Sequence, residues 1–573
     1  MNDSKNMILA VALSALILLG WSWVAKNYFP PANPPAATKV EAGTQQPAQA
    51  SPTQPATAAP QALKNRDVVL AATPRVRIAT PALSGSINLK GAQIDDLLLL
   101  KQRETIKQDS PPVRLLSPLG APHAYFASFG WSGQGVELPG ADMVWTASAP
   151  VLSPGKPVTL SWTNATGQRF EQIIAVDSDY LFTVKQRVVN GGGGPVAVRP
   201  FGLISRATKS ADPDGWTVQV GPIGFLNDKA NYSVDWKTLD QGGPNGQQFS
   251  SNGGWLGFTD KYWLTALAPA GNAPIAASWR KSPSGGYQAD YADAPMVVAP
   301  GQTSEQEVRL FAGAKELDAL KAYENAGIPG LTRAIDWGWF RWFMIPIFSL
   351  LVILFRTVGN FGVAIICLTL IVRGIMFPIA QKQFQSMAAM RKLQPKRKAI
   401  QERYKDDKAR QQQEILKLYQ EEKINPAAGC LPILLQIPVF YALYKVLLVS
   451  VEMRHQPFAL WINDLSAPDS ASLLTLAHNF GWTWFPPFLG LSVLALLLGI
   501  TMWLQFKLNP QQMDPTQQQI FALMPWMMMF IMSPFASGLQ LYWVTSNVLT
   551  ILQQWWLYRK FGLHLSDTHP VHT

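Results

Sequence analysis

The stretch Phe361-Gly-Val-Ala-Ile-Ile-Cys-Leu-Thr-Leu-Ile-Val-Arg-Gly-Ile-Met-Phe-Pro-Ile-Ala380 decides how this chain is read. It carries a single charge, Arg373, and at about 1.5 Å per residue it reaches across a bilayer core of about 30 Å. Working outward, apolar runs recur at Leu431 to Val451 and Phe485 to Phe506. Pro515 to Tyr558 then carries no charge at all. That is too long for one span, and Pro534 to Gly538 supplies a turn, so two helices are expected, Ile520 to Ser537 and Leu539 to Tyr558. Met7 to Ala25 is a further uncharged run, preceded by Lys5 and closed by Trp21 and Trp23. No clear small-residue cleavage site follows it, so an uncleaved signal anchor is expected; cleavage near Ala25 is the alternative.

Charge sets the topology. Residues 382–423 hold 12 Lys/Arg against 6 Asp/Glu, and the positive-inside rule places them in the cytoplasm. If the first anchor runs outward, an odd number of crossings separates it from this segment. Only one of the neighbouring runs Trp337 to Phe355 and Phe361 to Ala380 can then cross. The former carries Arg341, is followed by Arg356 and opens with Trp337, Trp339 and Trp342. It reads as an interfacial helix on the outer surface. Six spans result, with both termini cytoplasmic.

The chain has 573 residues, a net charge of +11 and 15% charged residues, against about 25% in soluble domains. With 21 Trp, this argues against one compact cytosolic enzyme and against disorder. Cys367 and Cys430 both lie in apolar stretches, so a disulfide framework and C-x-x-C sites are excluded. Pro30 to Ala62, rich in Pro, Ala, Gln and Thr, reads as an extended linker. In residues 64–325, Gly and Pro punctuate short alternating segments. Phe182, Val184 and Val188 alternate with Thr183, Lys185 and Arg187 before Gly191 to Gly194 breaks the chain, a period-two strand. This predicts a β-sandwich outside the cytoplasm. It holds 24 basic and 23 acidic residues, so it shows no nucleic-acid footprint.

The expected fold class is thus a multi-domain membrane protein. A six-span α-helical bundle, five spans forming its core, joins an all-β sandwich. The division is 1–29 anchor, 30–63 linker, 64–325 β-domain, 326–358 interfacial helix and 359–380 second span. A basic helical hairpin follows at 381–428, a third span at 429–451, an outer loop at 452–483 and a fourth span at 484–506. The rest is a cytoplasmic loop at 507–519, spans at 520–538 and 539–558, and a tail at 559–573.

No P-loop, H-E-x-x-H or G-x-S-x-G motif is present, and no cofactor, metal or catalytic residue is expected. The informative residue is Arg373, about 10 Å from the cytoplasmic end of its helix. A central Arg costs roughly 2.5–3.5 kcal/mol on insertion scales. Either it snorkels to headgroups, or it faces a water-filled cavity. The spans contain no Asp or Glu to pair with it. Thr369 lies one turn away. Gln540, Trp543, Asn547, Thr550 and Gln554 fall within about 80° of arc on the last helix, and Gln436 adds an amide between Pro432 and Pro438. Interhelical hydrogen bonding would explain any one amide; the whole stripe beside a lone Arg points to a wet groove. Met524, Met527 and Met528 suit a surface that fits many partners, and lipid-facing or gap-filling Met is equally open. Lys445 is placed to snorkel outward. In the basic hairpin, Arg391, Lys392, Lys396, Arg397 and Lys398 form either a solvated face or a docking surface for a polyanion such as the ribosome, or for acidic headgroups.

Four stretches are familiar: Arg373-Gly-Ile-Met-Phe-Pro, Asn425-Pro-Ala-Ala-Gly-Cys-Leu-Pro, Pro457-Phe-Ala-Leu-Trp-Ile-Asn-Asp-Leu-Ser-Ala and Ser533-Pro-Phe-Ala-Ser-Gly-Leu. Together they resemble the YidC membrane protein insertases, and the layout of anchor, linker and outer β-domain resembles the Gram-negative form. The resemblance implies a hydrophilic groove open to cytoplasm and lipid, with Arg373 as its arginine. It implies nascent inner-membrane proteins as clients, handled without ATP, alone or beside the Sec translocon. The outer domain resembles a sugar-mutarotase β-supersandwich, with no sign that it catalyses anything. Trp543 stands where relatives often carry Tyr, and the tail after Lys560 lacks the long basic extension of some relatives. The runner-up reading is a secondary transporter or channel built on Arg373. A sugar-active outer domain is a further rival.

Overall fold

The computed structural model describes residues 63–560, apart from 213–217, 283–284, 406, 423–430, 482–489 and 509–514. The expected anchor at Met7 to Ala25, most of the linker and the tail after Lys560 lie outside the described residues.

Alternation builds the outer domain. Strand Leu181–Asn190 buries every second residue, and Phe182, Val184 and Val188 are fully enclosed. Each such side chain contributes roughly 1.5–3 kcal/mol. The strand pairs antiparallel with Gln168–Val176 and with Thr303–Ala314. Among the described residues, these belong to a nine-stranded sheet that stands beside an eleven-stranded one. The inner faces of both sheets share one apolar core. Two amides cross between them: Gln172 Nε2 donates to the Phe129 carbonyl at 2.8 Å and Gln186 Nε2 to the Gly130 carbonyl at 2.7 Å. The all-β sandwich is present as expected. The inward-facing Gln186, on the same face as Phe182, is not visible in an apolar pattern.

Helix α1 (Leu317–Asn325) leaves the sandwich, and α2 (Arg341–Val358) follows. Gly359, with a φ of 71°, turns the chain into α3 (Phe361–Lys392); only Gly takes that conformation without steric cost. The apolar run and the first basic arm are therefore one helix, with Pro378 inside it. Helices α4 (Gln394–Arg403) and α5 (Lys408–Glu421) pack together. Asp407 caps α5 by accepting from the Arg410 N–H at 3.0 Å. Next come α6 (Leu431–Val449), α7 (Val493–Leu508), α8 (Pro515–Met532) and α9 (Ser537–Lys560). Helix α9 lies between α3 and α7, α8 packs on α7, and α6 touches α2, α3 and α9. By length and composition, α2 and Phe361–Gln383 are each apolar enough to cross a membrane.

The sandwich is tied to the bundle. Lys445 of α6 is only 2% exposed. Its Nζ donates to the Asp336 carbonyl at 3.0 Å and lies 3.3 Å from Asp336 Oδ2. The expectation that Lys445 snorkels is corrected: the Asp336 carboxylate, far away in sequence, enters the bundle and pairs with it. Arg454 donates to the carbonyls of Arg103 and Glu104 and lies over the rings of Tyr262 and Trp263.

Candidate functional site

Arg373 is half-buried on α3. Its partner is on α9: Nε donates to Ser546 Oγ at 3.1 Å, and Nη2 donates to the same oxygen. Ser546 is 2% exposed. One turn earlier, the hydroxyl of the buried Tyr542 accepts from Gln436 Nε2 of α6. Arg373, Ser546, Tyr542 and Gln436 thus form a polar cluster where α3, α6 and α9 meet. Among the described residues no carboxylate forms an ion pair with Arg373, so the hydroxyl orients the guanidinium without neutralising it.

The expected stripe along α9 does not converge on this cluster. Gln540 is fully buried. Its Nε2 donates to the carbonyls of Met532 and Phe535 at 3.0 and 2.9 Å, and its Oε1 accepts from Ser492 at 3.0 Å. It therefore seals the turn between α8 and α9. Asn547 is buried and donates to Thr501 Oγ1 of α7 at 3.1 Å. The single groove-lining stripe is thus corrected. Gln540 faces Ser492 at the start of α7 and Asn547 faces α7, while Tyr542 and Ser546, roughly 130° away at 100° per residue, face α6 and α3. Periodicity alone cannot say which neighbour a polar face meets.

The other expected residues are placed as follows. Thr369 is buried, its hydroxyl bonded to the Ile365 carbonyl at 2.6 Å. Thr550 is half-buried and bonds the Ser546 carbonyl at 2.7 Å. Trp543 packs edge-on against Phe440 of α6, with centroids 4.9 Å apart. Gln554 is buried toward the C-terminal end of α9, and its Oε1 has no hydrogen-bond partner among the described residues. On α8, Met524 and Met528 are half-buried and Met527 is exposed, beside exposed Leu523, Trp526, Phe530 and Ile531.

In the basic arm, Arg391 and Lys392 end α3, and their side chains fall outside the described residues. Lys396 is exposed and pairs with Glu422 at 2.7 Å; Lys398 is exposed and Arg397 half-buried. Sequence reasoning missed Ser546 and Tyr542. The available signal was their spacing of one helical turn beside an unpaired intramembrane Arg.

The architecture is that of an apolar helical bundle carrying a β-sandwich, with the Arg373 guanidinium held by a hydroxyl inside a helix apolar enough to cross a membrane. Comparison with known proteins narrows the class. Residues 75–350 match the YidC periplasmic domain family and residues 353–563 match the 60Kd inner membrane protein family. A membrane protein insertase YidC of Zymomonas mobilis subsp. mobilis is 46% identical over 564 residues, covering 98% of this chain and 96% of the relative. A solved structure of an active YidC insertase covers 86% of this chain and 93% of its own, at 19% identity and a TM-score of 0.36. A solved putative aldose 1-epimerase from Escherichia coli K12 covers 42% of this chain and 99% of its own, at 11% identity and a TM-score of 0.29. The chain belongs to the YidC family of membrane protein insertases.

Proposed function

We propose that this chain is a membrane protein insertase that receives nascent inner-membrane proteins beside Arg373 and releases their apolar helices into lipid. The observation that carries the reading is a guanidinium at membrane depth whose protein partner is a neutral hydroxyl. Such a charge is costly when dry and is relieved by water or by an acidic or polar segment. Drawing that segment partway in shortens the apolar distance left to cross. The client's helix then partitions into lipid, worth about 25 cal/mol per Å² of apolar surface. No covalent bond forms or breaks, so the chain is not an enzyme. Exposed Met527, with half-buried Met524 and Met528, offers an adaptable apolar flank for that helix.

The topology belongs to the same reading: six spans, both termini cytoplasmic, and α2 lying on the outer surface. For α2, support comes from its two ends. Just before its start, Asp336 pairs with Lys445; near its end, Arg356 pairs with Asp318 at 2.7 Å. Both anchors belong to the segment leaving the sandwich. Trp339 and Trp342 are strongly exposed at its start, as suits an interfacial helix. Lys396 and Lys398 then face the cytoplasm as a docking surface for the ribosome or acidic headgroups. Clients arrive alone or beside the Sec translocon.

Crosslinking from positions 373 and 436 to a stalled nascent chain tests the reading, with position 547 as the buried control. Strong adducts at the first two and weak ones at the third are expected. Uptake of a small solute by vesicles carrying the purified protein, with no adducts at 373, would favour the transporter or channel instead.

A further inference from the structure

We infer that Ser546 is a positioning residue for Arg373. It holds the Nε–Nη2 edge of the guanidinium so that Nη1 is presented to an acidic or polar segment. The inference rests on the reading of Arg373 given above and adds a residue to it.

Three observations carry it. First, one oxygen, Ser546 Oγ, accepts from both Nε and Nη2, which fixes the plane of the group as well as its position. Second, helix hydroxyls normally bond the carbonyl one turn back. Thr357, Thr369, Ser450, Thr501 and Thr550 of this chain all do so. The Ser546 oxygen is instead turned across to α3. Third, the accepting Ser546 hydroxyl is buried, and a hydrogen bond to a charged group is worth more there than at the surface. A carboxylate at position 546 would hold the guanidinium equally well and cancel its charge. A hydroxyl gives orientation and leaves the charge available. With alanine there, nothing described would stop the flexible side chain from swinging toward the cytoplasmic headgroups.

The test uses full-length protein in proteoliposomes and one client made in two forms, with an acidic or an uncharged outer tail. Ser546→Ala is expected to lower insertion of the acidic form roughly tenfold, the size of losing one charge-assisted hydrogen bond, and to leave the uncharged form nearly unchanged. Ser546→Thr is expected to restore the acidic form, and Ser546→Asp to lose it as Ser546→Ala does. Equal losses on both tails would mean that Ser546 only packs, and would overturn the inference. So would full activity of Ser546→Ala where Arg373→Ala fails. Full activity of Arg373→Ala on the acidic form would instead remove the underlying reading of Arg373.

Discussion

Glu452 places Oε1 3.0 Å from the backbone N–H of Leu317, capping α1 from a loop 135 residues away. Glu316, at the position where a capping side chain would normally sit, makes no such bond. The first helix beyond the sandwich is therefore closed by the loop that follows α6.

Burial pushes the Glu452 carboxyl up from 4.5 to about 7, against the bond from Leu317 and with Glu316 and Asp318 adding like charge. The folded state thus favours the protonated acid. Stability from this group is present below about pH 4.5 and is lost as pH rises through about 7. Between those limits the wild type should lose on the order of 3 kcal/mol relative to Glu452→Gln. Thermal unfolding of both proteins across that window checks this; parallel curves would refute it.

The Lys445–Asp336 pair makes a sharper demand. Removing one partner of a fully buried pair costs roughly 3–5 kcal/mol, and with Asp336 only half-buried the loss here is expected below that range. Lys445→Met should therefore loosen the sandwich from the bundle, and Lys445→Met with Asp336→Asn should recover much of the loss. Proteolysis after residue 336 reports the loosening.

Gln540→Leu should damage stability more than client handling. It takes the Gln540 donor from the Phe535 carbonyl and the Gln540 acceptor from the Ser492 hydroxyl, at about 1–3 kcal/mol for each group left unsatisfied, while the Met532 carbonyl keeps the Phe535 N–H. A lowered unfolding temperature with insertion retained at permissive temperature is the expected pair of results. A selective loss on acidic tails would return Gln540 to the client-binding surface.

Gly362 leaves no room for a side chain. A Cβ there would lie 2.0 Å from the Phe458 ring. Gly362→Ala should cost about 1–3 kcal/mol by overpacking, and Phe458→Leu should relieve part of it. The two single variants and the double variant, compared by thermal unfolding, give the coupling.

Legibility followed sequence distance. Strand Leu181–Asn190 was readable because its alternation is local, and the apolar runs were readable because bilayer thickness fixes their length. Lys445 was misread because its partner lies 109 residues away. The α9 stripe reads as one surface in sequence, although the α8–α9 turn takes Gln540, α7 takes Asn547, and α3 and α6 take Ser546 and Tyr542. A polar face announces itself in the sequence, but the helix that meets it does not. Ser546 was overlooked because a lone serine in a span looks like every other back-bonded hydroxyl.

Helix α3 has a geometric consequence. Arg373 and the basic arm ending at Lys392 belong to a single helix, so the guanidinium and the arm share one axis, interrupted between them at Pro378. Pro378 provides no N–H to the turn before it, leaving the Gly374 carbonyl without its usual donor, one residue beyond Arg373. The weakest backbone link of α3 thereby falls between its charge and its basic arm.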